Sequence, residues 1–147
     1  MKSISLTAIL AGTLFGASLL HAADPVAIDV YRDPNCGCCS AWITHLEDNG
    51  FVVNDHLEAD MGRLKQQVGV PRELASCHTA VLNGRFIEGH VPAADILRMQ
   101  HKPDLLGLAV PGMPVGSPGM EIGDRVDTYD VVAVEADGEH SSFSRYP

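Results

Sequence analysis

The chain after residue 24 opens with alternating apolar and polar residues, which is the pattern of a β-strand. Val26, Ile28 and Val30 lie on one face of a strand that we place over residues 26–31. A second short strand is predicted at 51–53, where three apolar residues stand together.

Two helices are predicted around this second strand. The first covers 40–49, because Trp42 and Leu46 are four residues apart and Gly50 is a typical C-terminal stop. The second helix carries apolar residues at steps of four, three and four: Leu57, Met61, Leu64 and Val68. Gly69 and Pro71 end this second helix.

A β-hairpin follows, because Asn83-Gly84 suits a type I′ turn between strands at 79–82 and 85–88. A third helix starts at Pro92, which fits the first helical position, and runs to about residue 101. The resulting order, β-α-β-α-β-β-α, is that of a thioredoxin-like α/β fold. We therefore expect a three-layer sandwich with a redox or metal motif between the first strand and the first helix.

The chain changes character after residue 103. Residues 105–121 are rich in Gly and Pro and contain the tripeptide Pro-Gly-Met twice, at 111–113 and 118–120. A final strand is predicted over 128–135, and the polar residues 136–147 give no usable pattern. We divide the chain into a thioredoxin-like domain, 24–102, and a C-terminal extension, 103–147, that ends in an extra strand.

The first 23 residues have the features of a secretory signal peptide. Lys2 supplies a positive charge, and residues 4–20 carry no charge. The small residues Ala22-Ala23 follow, directly before Asp24, and provide a cleavage site. A membrane anchor is the alternative, but such a helix typically needs about 20 apolar residues. We expect cleavage and export to the periplasm, free of the membrane, where disulfides can persist.

Acidic residues outnumber basic ones, which narrows the classes of partner. The 147 residues include 19 Asp and Glu against 10 Lys and Arg, a formal charge of −9. Nucleic acids and anionic membranes attract basic surfaces, so we expect neither as a partner. Cations are suitable partners for such a chain.

Three of the four cysteines stand together in Cys36-Gly37-Cys38-Cys39. Cys36 and Cys39 have the C-x-x-C spacing of a redox motif, and a helix N-terminus at Cys39 favours its thiolate. Cys38 is surplus to a disulfide exchanger, and three thiolates here would repel one another unless a cation joined them. Cys77 precedes the third strand, and by analogy with thioredoxin-like folds it lies against the cysteine loop and completes a set of four sulfurs.

Several kinds of site use four sulfurs. Two structural disulfides suit an exported chain with an even cysteine count, although loops this short constrain little of the chain. Zinc sites usually have separated C-x₂₋₄-C pairs, and ferredoxin-type iron–sulfur sites have longer spacings. Thiolates with nearby thioethers favour Cu(I), and the adjacent Cys38 and Cys39 can each bridge two ions of a small cluster.

Methionines and histidines provide a second group of candidate ligands. Met113 and Met120 lie in the Gly/Pro-rich segment outside any helical stripe, whereas Met61 and Met99 are expected in the core. Three histidines are candidates for ligation or proton transfer: His45, His78 and His90. Trp42 is expected to pack beneath the cysteine loop.

The order of these motifs resembles that of the CopG-type copper-resistance proteins, a family with a CxCC motif that was long described only as a domain of unknown function. The shared segments cover nearly all of the mature chain: Cys36-Gly37-Cys38-Cys39, Trp42, His45-Leu46, Gly50-Phe51, Gly69-Val70-Pro71, Ser76-Cys77-His78-Thr79-Ala80, Ile87-Glu88-Gly89-His90-Val91-Pro92-Ala93, Gly107-Leu108-Ala109-Val110-Pro111-Gly112-Met113-Pro114 and Gly116-Ser117-Pro118-Gly119-Met120-Glu121. The chain does not depart from the family pattern at the cysteine positions.

The resemblance implies a periplasmic, thioredoxin-like copper-binding protein whose C-terminal extension packs on the metal site. Its implied copper ligands, for more than one ion, are the four cysteines: Cys36, Cys38, Cys39 and Cys77. Met113, Met120 and His90 belong to matching segments and are additional candidates. The implied role is copper resistance alongside an efflux or chaperone system.

The same resemblance suggests a copper oxidoreductase that interconverts Cu(I) and Cu(II), with Cys36 and Cys39 as redox candidates. Two alternatives stay open. One is a thiol–disulfide oxidoreductase that uses Cys36 and Cys39. The other is a passive domain held by disulfides.

Overall fold

The computed structural model describes residues 25–147, and the predicted signal peptide, 1–23, lies outside the described residues. The described residues form one seven-stranded sheet and three α-helices. The elements are β1 (Val26–Arg32), α1 (Gly37–Asp48), β2 (Phe51–Leu57), α2 (Met61–Val68), β3 (His78–Leu82), β4 (Arg85–Glu88), α3 (Ala93–Met99), β5 (Leu105–Ala109), β6 (Tyr129–Glu135) and β7 (His140–Tyr146). None of the helices in this part of the chain is long and apolar enough to span a membrane.

The strands follow one another across the sheet in the order β2-β1-β3-β4-β5-β6-β7. β1 pairs in parallel with β2 and antiparallel with β3, and β3 pairs antiparallel with β4. This confirms the predicted thioredoxin-like order. The pairing of β1 with β3 sets Arg32 opposite His78, so the end of β1 lies beside the start of β3.

Two hydrophobic cores cover the two faces of the sheet. Ile87 in β4 belongs to the larger core, with Trp42 from α1 and Ile96 from α3. Its neighbour Phe86 belongs to a smaller core, with Leu74 from the segment after α2. Because successive strand residues point to opposite faces, this alternation confirms three layers, with α1 and α3 on one side of the sheet.

The hairpin between β3 and β4 is built as predicted. Asn83 and Gly84 both have positive φ, +52° and +77°, as a type I′ turn requires. α3 differs slightly from the prediction, because Pro92 precedes the helix as its N-cap and the helix ends at Met99. Met99 is fully buried, as expected.

The second helix begins later than its apolar periodicity predicts. The side chain of Asp60 accepts a hydrogen bond from the backbone N–H of Arg63 (3.0 Å), which caps a helix that starts at Met61. Leu57 lies instead at the end of β2, paired with Arg32 and 62% exposed, so its placement in the helix was wrong. Met61, expected in the core, is only partly buried.

The C-terminal extension contributes three strands, where the sequence pattern predicted one. β6 matches the predicted strand, β5 pairs in parallel with β4, and β7 forms the far edge of the sheet. Gly107 permits the pairing of β5, because a Cβ at this position would overlap the carbonyl oxygen and ring of Phe86. The extension is therefore continuous with the thioredoxin-like sheet.

Candidate metal centre

The cysteine loop is formed by the turn between β1 and α1. The Asp33 side chain accepts a hydrogen bond from the backbone N–H of Asn35 (2.8 Å), and the Asp33 carbonyl accepts one from that of Cys36 (3.1 Å). Cys36 is the N-cap of α1, which begins three residues earlier than predicted. Cys38 and Cys39 therefore stand in the first helical turn, where unpaired N–H groups favour negative charge.

Cys36 and Cys39 are joined in a disulfide, with their Cα atoms 5.4 Å apart, while Cys38 and Cys77 are free thiols. The two cysteines with C-x-x-C spacing are thus the ones that pair. The four cysteines do not make the two disulfides that a passive disulfide-held domain would need. The sulfurs of Cys36 and Cys38 remain in contact, at 3.6 Å.

Cys77 lies against the cysteine loop, as expected from the fold. It stands at the entrance to β3, directly beside the end of β1, where the loop begins. The sulfur atoms of Cys36, Cys38, Cys39 and Cys77 all lie within 4.8 Å of one another. The pairing of β1 with β3 thus brings together sulfurs that are far apart along the chain.

Two histidines extend the cluster on the side of Cys77. Nδ1 of His78 and Nε2 of His90 each lie 3.2 Å from the Cys77 sulfur. Nδ1 of His90 also lies 2.8 Å from the carbonyl oxygen of Pro118, which can only accept a hydrogen bond. Nδ1 therefore carries the proton, and the lone pair of Nε2 points at the Cys77 sulfur. A ligating histidine typically has such a backbone partner on its other nitrogen.

Burial keeps this side of the cluster uncharged at neutral pH. Desolvation raises the pKa of the Cys77 thiol to about 11, and proximity to Cys38 contributes. Desolvation lowers the pKa of His90 and, more strongly, that of His78. Neutral imidazoles are the ligating form, whereas Cys77 must release its proton when a cation binds.

The ring of His78 is enclosed by aromatic neighbours. It packs against Trp42, with ring centroids 4.4 Å apart, and edge-on against His90 at 4.9 Å. Trp42 is fully buried and donates a hydrogen bond to the carbonyl of Val91 (2.9 Å), which confirms its predicted packing role. Nε2 of His78 is buried with no hydrogen-bond partner within the described residues.

His45, another candidate from the sequence, is occupied elsewhere. Its Nε2 accepts a hydrogen bond from the backbone N–H of Ala93 (3.0 Å), at the start of α3. Burial lowers the pKa of His45, which suits a neutral acceptor. This histidine links two helices and is not among the clustered residues that could hold an ion.

The Gly/Pro-rich segment packs against the cysteine loop at its second Pro-Gly-Met tripeptide. A Cβ on Gly119 would stand 2.7 Å from the backbone nitrogen of Trp42 and 3.1 Å from the carbonyl oxygen of Cys38. Met120 is partly buried in this segment. Met113 is 53% exposed and lines a shallow cavity with residues such as Asp127 and Tyr129.

The turn that carries Cys77 rests on a buried carboxylate that the sequence analysis did not single out. Glu88 is fully buried and accepts hydrogen bonds from Lys65, Thr79 and the backbone N–H of Ser76. The available signal was a charged residue directly after the apolar pair Phe86-Ile87. The spacing of candidate metal ligands gives no sign of Glu88, because its carboxylate bonds to the turn and is not one of the clustered ligands.

The donor set fits a soft metal ion. Four sulfurs lie within 4.8 Å of one another, and one of them, the sulfur of Cys77, also lies within 3.2 Å of two neutral imidazoles, His78 and His90. Thiolates and imidazoles suit copper and zinc, and thiolate-rich sets favour Cu(I). The cluster can hold metal when the Cys36–Cys39 disulfide is reduced, since a disulfide sulfur is not a thiolate.

Comparison with known proteins gives matches to one family. The family described as "Protein of unknown function, DUF411" matches residues 74–120, and no curated protein matches the chain. Two solved structures, described as copper resistance protein CopG in Form 2 and Form 1, are each 61% identical with a TM-score of 0.82. The matches cover 84% of this chain and 99% and 98% of the solved chains. This degree of identity over almost the whole of both solved chains places the chain in the CopG family of copper-resistance proteins.

Proposed function

We propose that this protein binds Cu(I) through Cys36, Cys38, Cys39 and Cys77, and thereby contributes to copper resistance. The observation that carries the proposal is the convergence of four sulfur atoms within 4.8 Å, one of them from the separate segment before β3. Soft thiolate ligands prefer Cu(I) over harder divalent ions. The family's copper-resistance role supports the same ion.

The ions are held as a small thiolate-bridged cluster. Adjacent Cys38 and Cys39 are poorly placed to chelate a single tetrahedral ion, but each sulfur can bridge two ions. Four thiolates carry four negative charges in a partly buried position. A single monovalent ion would leave three of these charges without a counter-ion, and burying unpaired charge is unfavourable, so several monovalent ions suit the site better. We expect more than one copper ion per chain.

His90 is the strongest additional ligand. The carbonyl of Pro118 orients its ring so that Nε2 points at the Cys77 sulfur. Met120 is next, because its tripeptide lies against α1 through Gly119. Met113 has the weakest support, since its side chain is half exposed.

The same cysteines can exchange electrons with copper. Oxidation of the Cys36 and Cys39 thiols to their disulfide releases two electrons and two protons, which reduces two Cu(II) to two Cu(I). An external dithiol must then reduce the disulfide to restore the site. We place this cycle in the periplasm, next to a copper efflux or chaperone system, where disulfides and dithiol reductants coexist.

Anaerobic titration of the reduced mature protein with Cu(I), followed by elemental analysis, tests the binding proposal. We expect more than one tightly bound copper per chain, with large losses in Cys36→Ser and Cys77→Ser. His90→Gln is compared with His45→Gln, whose replaced histidine binds a helix terminus and not the sulfurs. Copper below one ion per chain, unaffected by the cysteine changes, would contradict the proposal.

A thiol–disulfide oxidoreductase is the second candidate, and the Cys36–Cys39 disulfide at a helix N-terminus favours it. The two functions differ in their need for Cys38. An insulin-reduction assay on Cys38→Ser separates them, because a disulfide exchanger retains its activity without this thiol while a four-sulfur copper site loses affinity. Copper uptake that survives Cys38→Ser, together with full insulin reduction, would favour the exchanger.

A further inference from the structure

Glu88 is one of two fully buried carboxylates among the described residues, and its position links it to the metal centre. Its Oε1 accepts hydrogen bonds from Lys65 Nζ (2.5 Å) and from the backbone N–H of Ser76 (2.6 Å). Its Oε2 accepts one from the hydroxyl of Thr79 (2.7 Å). Both oxygens are therefore occupied, as a buried carboxylate requires.

Two of these donors stand on either side of Cys77 in the chain. Ser76 immediately precedes this cysteine, and Thr79 follows it by two residues. Glu88 thus accepts hydrogen bonds from the turn on both sides of Cys77. The hydroxyl of Ser76 donates in turn to the carbonyl of Gly112 in the C-terminal extension. The carboxylate holds the segment that carries the only cluster cysteine outside the loop.

Lys65 offsets the unfavourable burial of the Glu88 charge. Its ammonium group neutralises Glu88 and also donates to the hydroxyl of Thr79 (2.8 Å). The hydroxyl accepts this bond while donating its own proton to Glu88, so the network is closed. A closed buried network fixes its members in one geometry, whereas a broken one leaves an unpaired charge.

We propose that Glu88, supported by Lys65, is a positioning residue that holds Cys77 within reach of the cysteine loop. The carboxylate acts through the Ser76–Thr79 turn and does not touch the ion. The copper readout of this inference rests on the proposed function, but the position of Cys77 can be measured without metal. Groups that orient metal ligands typically contribute about 10- to 100-fold to metal affinity.

The copper arm of the test uses Glu88→Gln, Thr79→Val and a matched control, Asp95→Asn. A glutamine retains one acceptor oxygen, but its amide nitrogen cannot accept from Thr79. Asp95 is the matched carboxylate, because it is also fully buried and also accepts from three donors, Arg98, Ser144 and Tyr146. We expect Cu(I) affinity to fall about 10- to 100-fold in Glu88→Gln, less in Thr79→Val, and not at all in Asp95→Asn.

The metal-free arm measures alkylation of Cys77. In a Cys38→Ser background with the Cys36–Cys39 disulfide intact, Cys77 is the only free thiol. We expect Glu88→Gln and Thr79→Val to speed its alkylation severalfold, because the turn loosens and exposes the sulfur, and Asp95→Asn to leave the rate unchanged. Circular dichroism confirms that each variant is folded.

The outcomes separate the two proposals. Wild-type protein that takes up no Cu(I) refutes the proposed function, and the alkylation rates still decide the role of Glu88. If folded Glu88→Gln shows the wild-type alkylation rate, the positioning role is refuted. It is refuted equally if Asp95→Asn produces the same losses, because general destabilisation then explains them.

Discussion

The two Pro-Gly-Met tripeptides offer a matched pair of substitutions, Gly119→Ala and Gly112→Ala. Both glycines have positive φ, +83° and +71°, so an alanine at either position is strained. Their surroundings differ. A Cβ on Gly119 meets the backbone of α1, with the Trp42 nitrogen at 2.7 Å, whereas a Cβ on Gly112 meets nothing within 4 Å.

The difference gives an expected magnitude for each variant. The left-handed conformation costs an alanine about 1–2 kcal/mol, which is the whole effect at Gly112. Overpacking typically adds about 1–3 kcal/mol, and the atoms in the way at Gly119 are backbone atoms that cannot rotate aside. We therefore expect Gly119→Ala to lower the free energy of unfolding by about 2–5 kcal/mol.

Urea unfolding of the two variants measures this difference, and tryptophan fluorescence locates it. Trp42 is the only tryptophan, and its backbone nitrogen is the nearest atom to the added methyl group. If the segment moves away from α1 instead of straining it, the emission of Gly119→Ala shifts to longer wavelength while that of Gly112→Ala does not. Equal losses of stability with unchanged emission in both variants would refute the packing argument.

Three further predictions concern protonation and the C-terminal strands. Burial lowers the pKa of His78 and His90, so on acidification the unfolded chain takes up protons that the folded chain does not. The free energy of unfolding should therefore be greatest above about pH 6.5 and fall as the pH drops below it, and urea midpoints at pH 7 and pH 5 will measure the difference. Burial raises the pKa of Cys77 to about 11, so its alkylation rate in oxidised Cys38→Ser protein should keep rising well above pH 9. The midpoint of the rise should lie somewhat below 11, because this variant lacks the Cys38 charge, and a plateau at pH 9 would contradict the burial. Tyr146→Phe removes a hydrogen bond to the buried carboxylate of Asp95 and should cost about 1–3 kcal/mol in urea unfolding while leaving Cu(I) affinity unchanged.

The central part of the site was predictable because it depends on strand order. Once β1, α1 and β3 are recognised, the pairing of β1 with β3 places Cys77 beside the cysteine loop. The disulfide partners were likewise indicated by the C-x-x-C spacing. Neither inference needs the position of any individual side chain.

The missed strands have sequences that hide them. β5 contains Gly107, which weakens the strand signal but is required where the chain passes close to Phe86. β7 is an edge strand with three serines, and none of its residues is fully buried, so it lacks an apolar alternation. Both segments become strands because of the neighbours they pair with in the sheet, and the local pattern of apolar residues does not indicate those neighbours.

The orientation of His90 could not be predicted, because it depends on a contact that is distant in sequence. Its tautomer follows from the carbonyl of Pro118, 28 residues further along the chain. The buried role of Glu88 is similar, since its partners Lys65 and Ser76 come from two other segments. Such details follow from the packed structure, after the elements themselves are placed.

The extra strands explain how the segment over the cysteine loop keeps a fixed position. It leaves β5 at Val110, whose N–H donates to the Glu88 carbonyl (2.9 Å), and it joins β6 at Tyr129. Within the segment, Asp127 bonds back to Val115 through its backbone N–H and its side chain. Between these ends, the Pro118 carbonyl accepts from His90. A connection of this length would ordinarily cost much conformational entropy to order. Because the sheet holds both ends and His90 binds the middle, the segment stays packed against the cysteine loop without needing to close upon it.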